Sequence, residues 1–227
     1  MVQTADKRQQ IGLLGGTFDP VHNGHLAVAV HVLETLGLDA MWFIPAALPP
    51  HKAGHADGRD ISSFADRLAM LEIATADNNS FVISDIEAKR SAPSYSIDTI
   101  NILSRQIGEQ ADFYFIIGED AFIEIDTWKR FKELPTLVNF VVISRPAYPH
   151  DRVGEVIRNN FAGYQYDPSH ETWKSPHSKG IFFFQHMEPV PISSTEIRER
   201  VKNGEQIAGL APPFVEDYIR EKGLYLK

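Results

Sequence analysis

The sequence predicts an α/β fold, a doubly wound parallel sheet with a small helical part at its C-terminus. Short apolar runs alternate with segments of helical periodicity, which is typical of parallel strands joined by crossover helices. The chain has 227 residues, which suits one medium-sized α/β domain, and 43% of them are hydrophobic, enough for a buried core. We therefore expect a single domain over residues 1–227, with the helical part at about 193–227.

Each predicted strand is a short apolar run, and together they span 11–14, 40–44, 81–86, 112–118, 140–143 and 181–184. The predicted helices cover 26–33, a segment opened by the capping pair Ser63 and Asp66, 96–107, a segment that holds Trp128, 193–202 and 213–222. Residues 162–180 contain Pro, His and Ser without periodicity. They are predicted to form a surface loop within an insertion at about 147–180.

Composition excludes several classes of protein. The net charge of −8 argues against broad nucleic-acid binding, which needs a basic surface. The absence of cysteine excludes disulfides, thiolate zinc sites and a cysteine nucleophile. The first ten residues lack the apolar core of a signal peptide, and no apolar run is long enough for a membrane span. We therefore expect a cytoplasmic protein without membrane or nucleic-acid partners.

The most informative segment is residues 15–25, GGTFDPVHNGH, between the first predicted strand and the first predicted helix. A glycine pair after a strand lets a ligand approach the backbone closely because no Cβ intervenes. The helix that follows would point unpaired N–H groups and a partial positive charge at the same place. His22 and His25 add ring N–H donors there. The segment therefore predicts a site for a phosphate group that undergoes reaction.

Other uses of this segment are less well supported. A dinucleotide-binding fingerprint needs G-x-G-x-x-G and a P-loop needs G-x-x-x-x-G-K-[ST], and neither pattern is present. His22 and His25 could share a helix face and hold a metal, but a hydrolytic zinc site normally recruits a third ligand, which the sequence does not identify. A strand–turn–helix with two surface histidines is the plain structural alternative.

A second segment, ISSTEIR at 192–198, combines hydroxyl groups with an arginine. Ser193 and Glu196 fit a capping box, so a plain helix start explains part of it. Hydroxyls at a helix N-terminus with Arg198 one turn later also form a seat for an anion. By itself this segment supports both interpretations equally.

Taken together, the two segments resemble the bacterial nicotinate mononucleotide adenylyltransferases of the HIGH-type nucleotidyltransferase superfamily. The resemblance runs from Ile11 to Leu226, because further landmarks fall in order: PPHK at 49–52, PSYSIDT at 93–99, GED at 118–120, Trp128 and SRP at 144–146. The stretch between Pro146 and Ile181 departs from the family by being longer than expected. A surface insertion is its favoured interpretation, ahead of an oligomer contact or a lid.

The resemblance implies a Rossmann-like fold and a reaction in which ATP and nicotinate mononucleotide give nicotinate adenine dinucleotide and pyrophosphate, in NAD biosynthesis. It implies catalytic roles for His22, His25 and Arg198. The implied ATP-binding residues are Gly15, Gly16, Thr17, Phe18, Asp120, Ser194 and Thr195. The implied nicotinate mononucleotide-binding residues are Lys52, Tyr95, Thr99, Trp128 and Arg145.

The resemblance also implies Mg²⁺, which would travel with the ATP phosphates, with Asp19 as a weak candidate for assisting it. Several alternatives remain open at this point: nicotinamide mononucleotide as the preferred acceptor, another HIGH-type nucleotidyltransferase such as a pantetheine-phosphate adenylyltransferase, a non-catalytic nucleotide sensor, and a metal-dependent hydrolase. The oligomeric state, including a homo-oligomer, cannot be inferred from the sequence.

Overall fold

The structure, a computed structural model, describes residues 7–49, 61–144, 151–176, 178, 180–187 and 190–226. The strands within this part are β1 (Gln9–Gly16), β2 (Ala40–Pro45), β3 (Phe81–Ile83), β4 (Ala111–Gly118), β5 (Asn139–Ser144), β6 (Gln165–Asp167), β7 (Thr172–Lys174) and β8 (Phe182–His186). The α-helices are α1 (Asn23–Thr35), α2 (Phe64–Thr75), α3 (Ser96–Ile107), α4 (Glu119–Ile123), α5 (Asp151–Asn160), α6 (Ser194–Lys202) and α7 (Pro213–Lys222). Short 3₁₀ turns lie at Gly108–Gln110, Ile125–Thr127 and Phe131–Thr136.

The strands form one sheet in the order β3-β2-β1-β4-β5-β8-β7-β6. Pairing is parallel between β1 and β4, between β4 and β5, and between β5 and β8. Parallel neighbours need crossover connections, and helices lie between these strands along the chain. The predicted α/β fold with a parallel sheet is therefore confirmed.

The core of this sheet follows from its register. Leu13 lies opposite Phe115, Phe115 opposite Phe140, and Phe140 opposite Phe182. Leu13, Phe140 and Phe182 are 0% exposed, and the Phe140 and Phe182 rings stack with centroids 5.1 Å apart. Burying each phenylalanine contributes about 1.5–3 kcal/mol relative to leaving it in water. The strand that precedes residues 15–25 is thereby anchored in a continuous apolar row.

The helix boundaries follow the capping signals in the sequence. α2 begins after Ser63, whose Oγ accepts the Asp66 amide at 3.0 Å, and α6 begins after Ser193, whose Oγ accepts the Glu196 amide at 3.1 Å. α3 and α7 have the predicted bounds. None of the helices in the described part of the chain is long and apolar enough to cross a lipid bilayer.

The described residues divide into two compact units. Unit 1 comprises those within Met1–Leu14, Val32–Met41 and Tyr95–Glu188. Unit 2 comprises those within Gly15–His31, Trp42–Ser94 and Pro189–Lys227. Residues 15–25 and 192–198 both belong to unit 2, whereas Tyr95, Thr99, Asp120 and Trp128 belong to unit 1.

The prediction of a surface loop over 162–180 is wrong. β6 and β7 pair antiparallel there, and β7 pairs antiparallel with β8. Trp173 on β7 is only 6% exposed, and the Arg158 guanidinium lies 5.5 Å from its ring centroid. Strands of three residues are too short to show an alternating pattern, so the sequence offers no periodic signal for them.

Two further element predictions need correction. Trp128 was expected in a helix, but it follows the 3₁₀ turn Ile125–Thr127 and has an extended backbone, with φ −80° and ψ 144°. The third strand ends at Ile83 rather than residue 86. The Trp128 amide donates to the Ile125 carbonyl at 3.0 Å and closes a turn there, and the Ala88 amide donates to the Asp85 carbonyl at 3.0 Å and closes a turn just after the third strand.

Candidate active site

The motif loop, residues 15–25, leaves β1 and enters α1. Gly15 is exposed, and a Cβ built on it would meet no atom within 4 Å, so open space lies beside this backbone. A Cβ on Gly16 would lie 3.0 Å from the Phe18 ring. Phe18 is 1% exposed and has φ 52°, a left-handed conformation that is uncommon for a bulky residue. Such backbone persists where its surroundings hold it, and it clusters at ligand sites.

The His22 and His25 rings stack face to face, with centroids 3.7 Å apart and planes 24° from parallel. The His22 amide donates to His25 Nδ1 and the His25 amide donates to His22 Nδ1, both at 3.3 Å. Because each Nδ1 accepts a hydrogen bond, each neutral imidazole must carry its proton on Nε2. The pair therefore offers two Nε2–H donors whose tautomers are set by the loop's own backbone.

Burial keeps this pair neutral. It lowers the pKa of His22, which is 6% exposed, to about 4. Burial also lowers the pKa of His25 to about 3, with a smaller contribution from the nearby His22 charge. The edge of the Phe18 ring packs against His25 at 4.9 Å between centroids. At neutral pH the ligand-free site thus presents neutral N–H donors rather than imidazolium ions.

The expectation that the start of α1 offers unpaired amides is wrong for two of its residues. The Asn23 amide donates to the Leu210 carbonyl at 2.9 Å, and the His25 amide is shared between the His22 carbonyl at 2.9 Å and His22 Nδ1 at 3.3 Å. The Asn23 side-chain amide donates to the Gly209 carbonyl at 2.8 Å. The Leu210 carbonyl therefore binds a backbone amide that the sequence suggested for a ligand, and this long-range contact cannot be inferred from local sequence pattern.

The second predicted segment lies against the motif loop. Ser194 Oγ donates to the Pro20 carbonyl at 2.9 Å, and Arg198 Nη1 donates to the Asp19 carbonyl at 2.6 Å. Arg198 Nη2 also donates to Thr195 Oγ1 at 3.1 Å. A hydroxyl has a single O–H donor, and Ser194 uses it in the hydrogen bond to the Pro20 carbonyl. Thr195 accepts a hydrogen bond from Arg198, so its own O–H can donate to another partner. The structure thus joins two segments that are separated by more than 170 residues.

Asp19 is 3% exposed and its carboxylate is directed at protein donors. Oδ1 accepts the Tyr225 hydroxyl at 2.7 Å, and Oδ2 accepts the Ser62 amide at 3.3 Å. Among the described residues, no group of three or more His, Asp or Glu side chains is arranged to hold a metal ion. Asp19 therefore serves as an acceptor that joins the motif loop to two other segments.

Arg67 is a site residue that the sequence analysis did not predict. It is 2% exposed, and it donates from Nη1 to the Thr17 carbonyl at 2.7 Å and from Nε to the Ser62 carbonyl at 3.1 Å. Burial lowers its pKa, while the negative charge of Asp19 opposes that shift. One signal was available: Arg67 lies three and four residues before Met70 and Leu71, so it shares the buried face of α2.

Three of the residues predicted for the nicotinate nucleotide, Tyr95, Thr99 and Trp128, belong to unit 1. The half-buried Trp128 ring meets Phe115 edge-on at 6.0 Å between centroids. Thr99 is 3% exposed, and its hydroxyl donates to the Tyr95 carbonyl at 3.4 Å. Lys129, which the sequence analysis did not single out, lies 4.7 Å from the Tyr95 ring centroid.

The remaining predicted residues are distributed differently. Asp120 is exposed at the start of α4, and a Cβ on Gly118 would come within 2.5 Å of its Oδ1. Lys52 and Arg145 lie outside the described residues.

The chain is similar to known proteins both in sequence and in fold. The family described as Cytidylyltransferase-like matches residues 13–200. A probable nicotinate-nucleotide adenylyltransferase of Desulfatibacillum aliphaticivorans is 39% identical, over 96% of this chain and 100% of that protein. One from Geotalea daltonii is 41% identical, over 95% and 98%. The fold is similar to that of Plasmodium falciparum nicotinic acid mononucleotide adenylyltransferase complexed with NaAD, with TM-score 0.70, 18% identity, and coverage of 96% of this chain and 98% of that one.

Proposed function

Since the chain belongs to the nicotinate-nucleotide adenylyltransferase family, we propose that its motif loop binds and orients ATP for that family's reaction. The enzyme is a nucleotidyltransferase that joins ATP and nicotinate mononucleotide to give nicotinate adenine dinucleotide and pyrophosphate. A phosphate oxygen of the mononucleotide attacks the α-phosphorus of ATP, and the bond from that phosphorus to the β-phosphate oxygen breaks. The bonding electron pair leaves with pyrophosphate.

This reaction requires hydrogen-bond donors from the protein rather than a general base. The second pKa of a phosphate monoester is about 6, so the attacking phosphate is already mostly dianionic at neutral pH. No covalent protein intermediate is needed either. What remains is to align two anionic groups and to stabilise the charge that develops on the departing pyrophosphate.

The observation that carries the proposal is the stacked His22–His25 pair with its tautomers set by the backbone. Both Nε2–H groups are donors without a proton-transfer step, and both are neutral in the ligand-free site. In this role they donate to oxygens of the α- and β-phosphates and of the departing pyrophosphate. Negative charge from a bound triphosphate would raise both pKa values and strengthen these hydrogen bonds.

Arg198, Thr195 and Ser194 form the other half of the proposed phosphate site. Arg198 has five N–H donors, and the two hydrogen bonds to Asp19 and Thr195 fix the plane of its guanidinium while leaving others for phosphate. Thr195 can donate its free proton. Ser194 has the smaller direct role, because its proton is engaged by Pro20 and it chiefly attaches α6 to the loop.

The acceptor side is proposed from unit 1 and from two residues outside the described part. Tyr95, Thr99 and Trp128 would shape the nicotinate pocket, with the half-buried Trp128 ring available for stacking. Lys52 and Arg145 would neutralise phosphate charge, and Asp120 would lie near the adenosine. Gly15, Gly16, Thr17 and Phe18 would contact the nucleotide through the backbone.

Mg²⁺ is proposed as a companion of the ATP phosphates. It keeps several waters and takes few protein ligands, so phosphate oxygens would hold it. Asp19 is 3% exposed and its carboxylate accepts hydrogen bonds from Tyr225 and Ser62, so we assign it to the protein contacts of the motif loop ahead of the ion. A cytoplasmic location and self-association stay proposals, the latter testable by light scattering.

The test is a pyrophosphate-release assay with ATP and Mg²⁺ in which nicotinate mononucleotide, nicotinamide mononucleotide and phosphopantetheine are compared as acceptors. We expect nicotinate mononucleotide to give the highest kcat/KM. His22→Ala should lower kcat by about 100-fold or more, the cost of losing a donor to a developing oxyanion. His170→Ala is the matched control, because this exposed histidine pairs only with Asp167 on the β6–β7 hairpin among the hydrogen bonds described for it.

Two outcomes would contradict the proposal. Preferential use of phosphopantetheine would reassign the acceptor. Near-normal turnover by His22→Ala would remove the proposed role of the histidine pair while leaving the family membership intact.

A further inference from the structure

We propose that Tyr225, in the short tail after α7, is a positioning residue for the motif loop, which it holds through Asp19. The inference rests on the proposed function, because it concerns the same ATP site. Tyr225 is 200 residues beyond the loop in the sequence, and neither the sequence pattern nor the predicted site residues include it.

The tail takes an unusual path to reach Asp19. α7 ends at Lys222 and is followed by Gly223, which has φ 60° and caps the helix by donating to the Arg220 carbonyl. Leu224 donates to the Ile219 carbonyl at 3.0 Å, and Tyr225 itself has φ 64°. A left-handed backbone is disfavoured for a residue with a Cβ and is retained where the surroundings enforce it. This reversal directs the Tyr225 side chain back into unit 2.

In unit 2 the Tyr225 side chain contacts the buried carboxylate of Asp19. Its hydroxyl donates to Asp19 Oδ1 at 2.7 Å, and Asp19 is 3% exposed. Burial and the negative charge of Asp19 raise the pKa of Tyr225, so the hydroxyl keeps its proton and remains a donor at physiological pH. Hydrogen bonds to a buried carboxylate are stronger than those between neutral groups, and a carboxylate left without its donor is costly.

Asp19 transmits this constraint to the groups proposed to contact phosphate. Its main-chain carbonyl accepts Arg198 Nη1 at 2.6 Å, and the next residue, Pro20, accepts the Ser194 hydroxyl at 2.9 Å. His22 follows two residues later. A rotation of Asp19 would therefore change both the direction of the guanidinium and the path of the chain into the histidine pair. Tyr225 itself touches neither substrate in this proposal.

The test compares Tyr225→Phe with Tyr218→Phe. Both changes remove one hydroxyl that donates to an aspartate in unit 2 and leave the ring in place, but Tyr218 donates to Asp66 on α2 at 3.0 Å, whereas the acceptor of Tyr225 is a residue of the motif loop itself. Tyr225→Phe should lower kcat and raise the KM for ATP, with a combined loss in kcat/KM of about tenfold, while the KM for nicotinate mononucleotide stays unchanged. Tyr218→Phe should leave all three values unchanged.

A second readout is independent of the acceptor. Binding of inorganic pyrophosphate is measured by calorimetry, and the imidazole signals of His22 and His25 are followed by NMR. Tyr225→Phe should weaken pyrophosphate binding and shift both imidazole signals, and Tyr218→Phe should do neither. If the wild type binds pyrophosphate but transfers no adenylyl group to nicotinate mononucleotide, the proposed function fails while this comparison still decides the role of Tyr225. Equal behaviour of the two variants in binding, NMR and kinetics would overturn the inference.

Discussion

Individual residues in the motif loop have different structural roles. Gly16 lies against the Phe18 ring, and Gly24 lies against His22, so a side chain at either position would press on a neighbour within the protein. Gly15 faces open space. The structure therefore distinguishes glycines needed for internal packing from the one whose missing side chain leaves room for a ligand.

Gly15→Ala tests that distinction. Because the added methyl group meets no atom within 4 Å and Gly15 does not have positive φ, the melting temperature should be unchanged or slightly higher. ATP should bind at least about tenfold more weakly, since a Cβ would occupy the space where the nucleotide approaches the backbone. Calorimetric titration with a non-hydrolysable ATP analogue measures this. Unchanged affinity would show that the open space beside Gly15 is not used by ATP.

At the scale of elements, α1 and α6 present their first turns to the same loop. α6 begins with a side-chain cap from Ser193 and contributes Ser194 and Arg198 to contacts with the loop. α1 begins with its Asn23 and His25 amides held by carbonyls, so the histidine rings, rather than these two amides, are left to serve a ligand. At the N-termini of both helices, side chains as well as backbone groups therefore make the relevant hydrogen bonds.

Gly24→Ala separates helix stability from site geometry. Alanine is favoured over glycine within a helix by up to about 1 kcal/mol. A Cβ at this position would nevertheless lie 3.0 Å from His22 Nδ1, which accepts the His25 amide. We expect the melting temperature to be maintained while kcat falls about tenfold or more, the usual result of misplacing a catalytic group. A drop in kcat that merely tracks a loss of folded protein would argue against this.

At the scale of the whole molecule, the two neutral histidines make stability depend on pH. Their pKa values of about 4 and about 3 lie below the ordinary value of 6.5. As the pH falls below about 6.5, the unfolded chain takes up protons before the folded chain does, so the free energy of unfolding decreases until the folded-state pKa is passed. Each histidine contributes about 1.4 kcal/mol per pH unit within that window.

Urea unfolding of the wild type and His22→Asn at pH 7 and pH 5 checks this. The wild type should lose more unfolding free energy between the two pH values than the variant, because the variant lacks one of the depressed groups. Identical losses would show that His22 is not held neutral in the folded protein. The circular dichroism spectrum at pH 7 should be the same for both proteins.

The sequence alone determined the α/β class, the capping of α2 and α6, and the two segments that mark the family, because these depend on residue type at short spacing. Only the tertiary structure decided what each donor does. The Pro20 carbonyl accepts a hydrogen bond from the Ser194 hydroxyl, and the Leu210 carbonyl accepts one from the Asn23 amide. The backbone amides of the loop set the tautomers of His22 and His25. Arg67 and Tyr225 likewise belong to the site through hydrogen bonds to a distant segment, the motif loop. Hydrogen bonds are directional and short-ranged, so the partner of each donor depends on which distant segments of the chain fold together. The local sequence pattern does not contain that information.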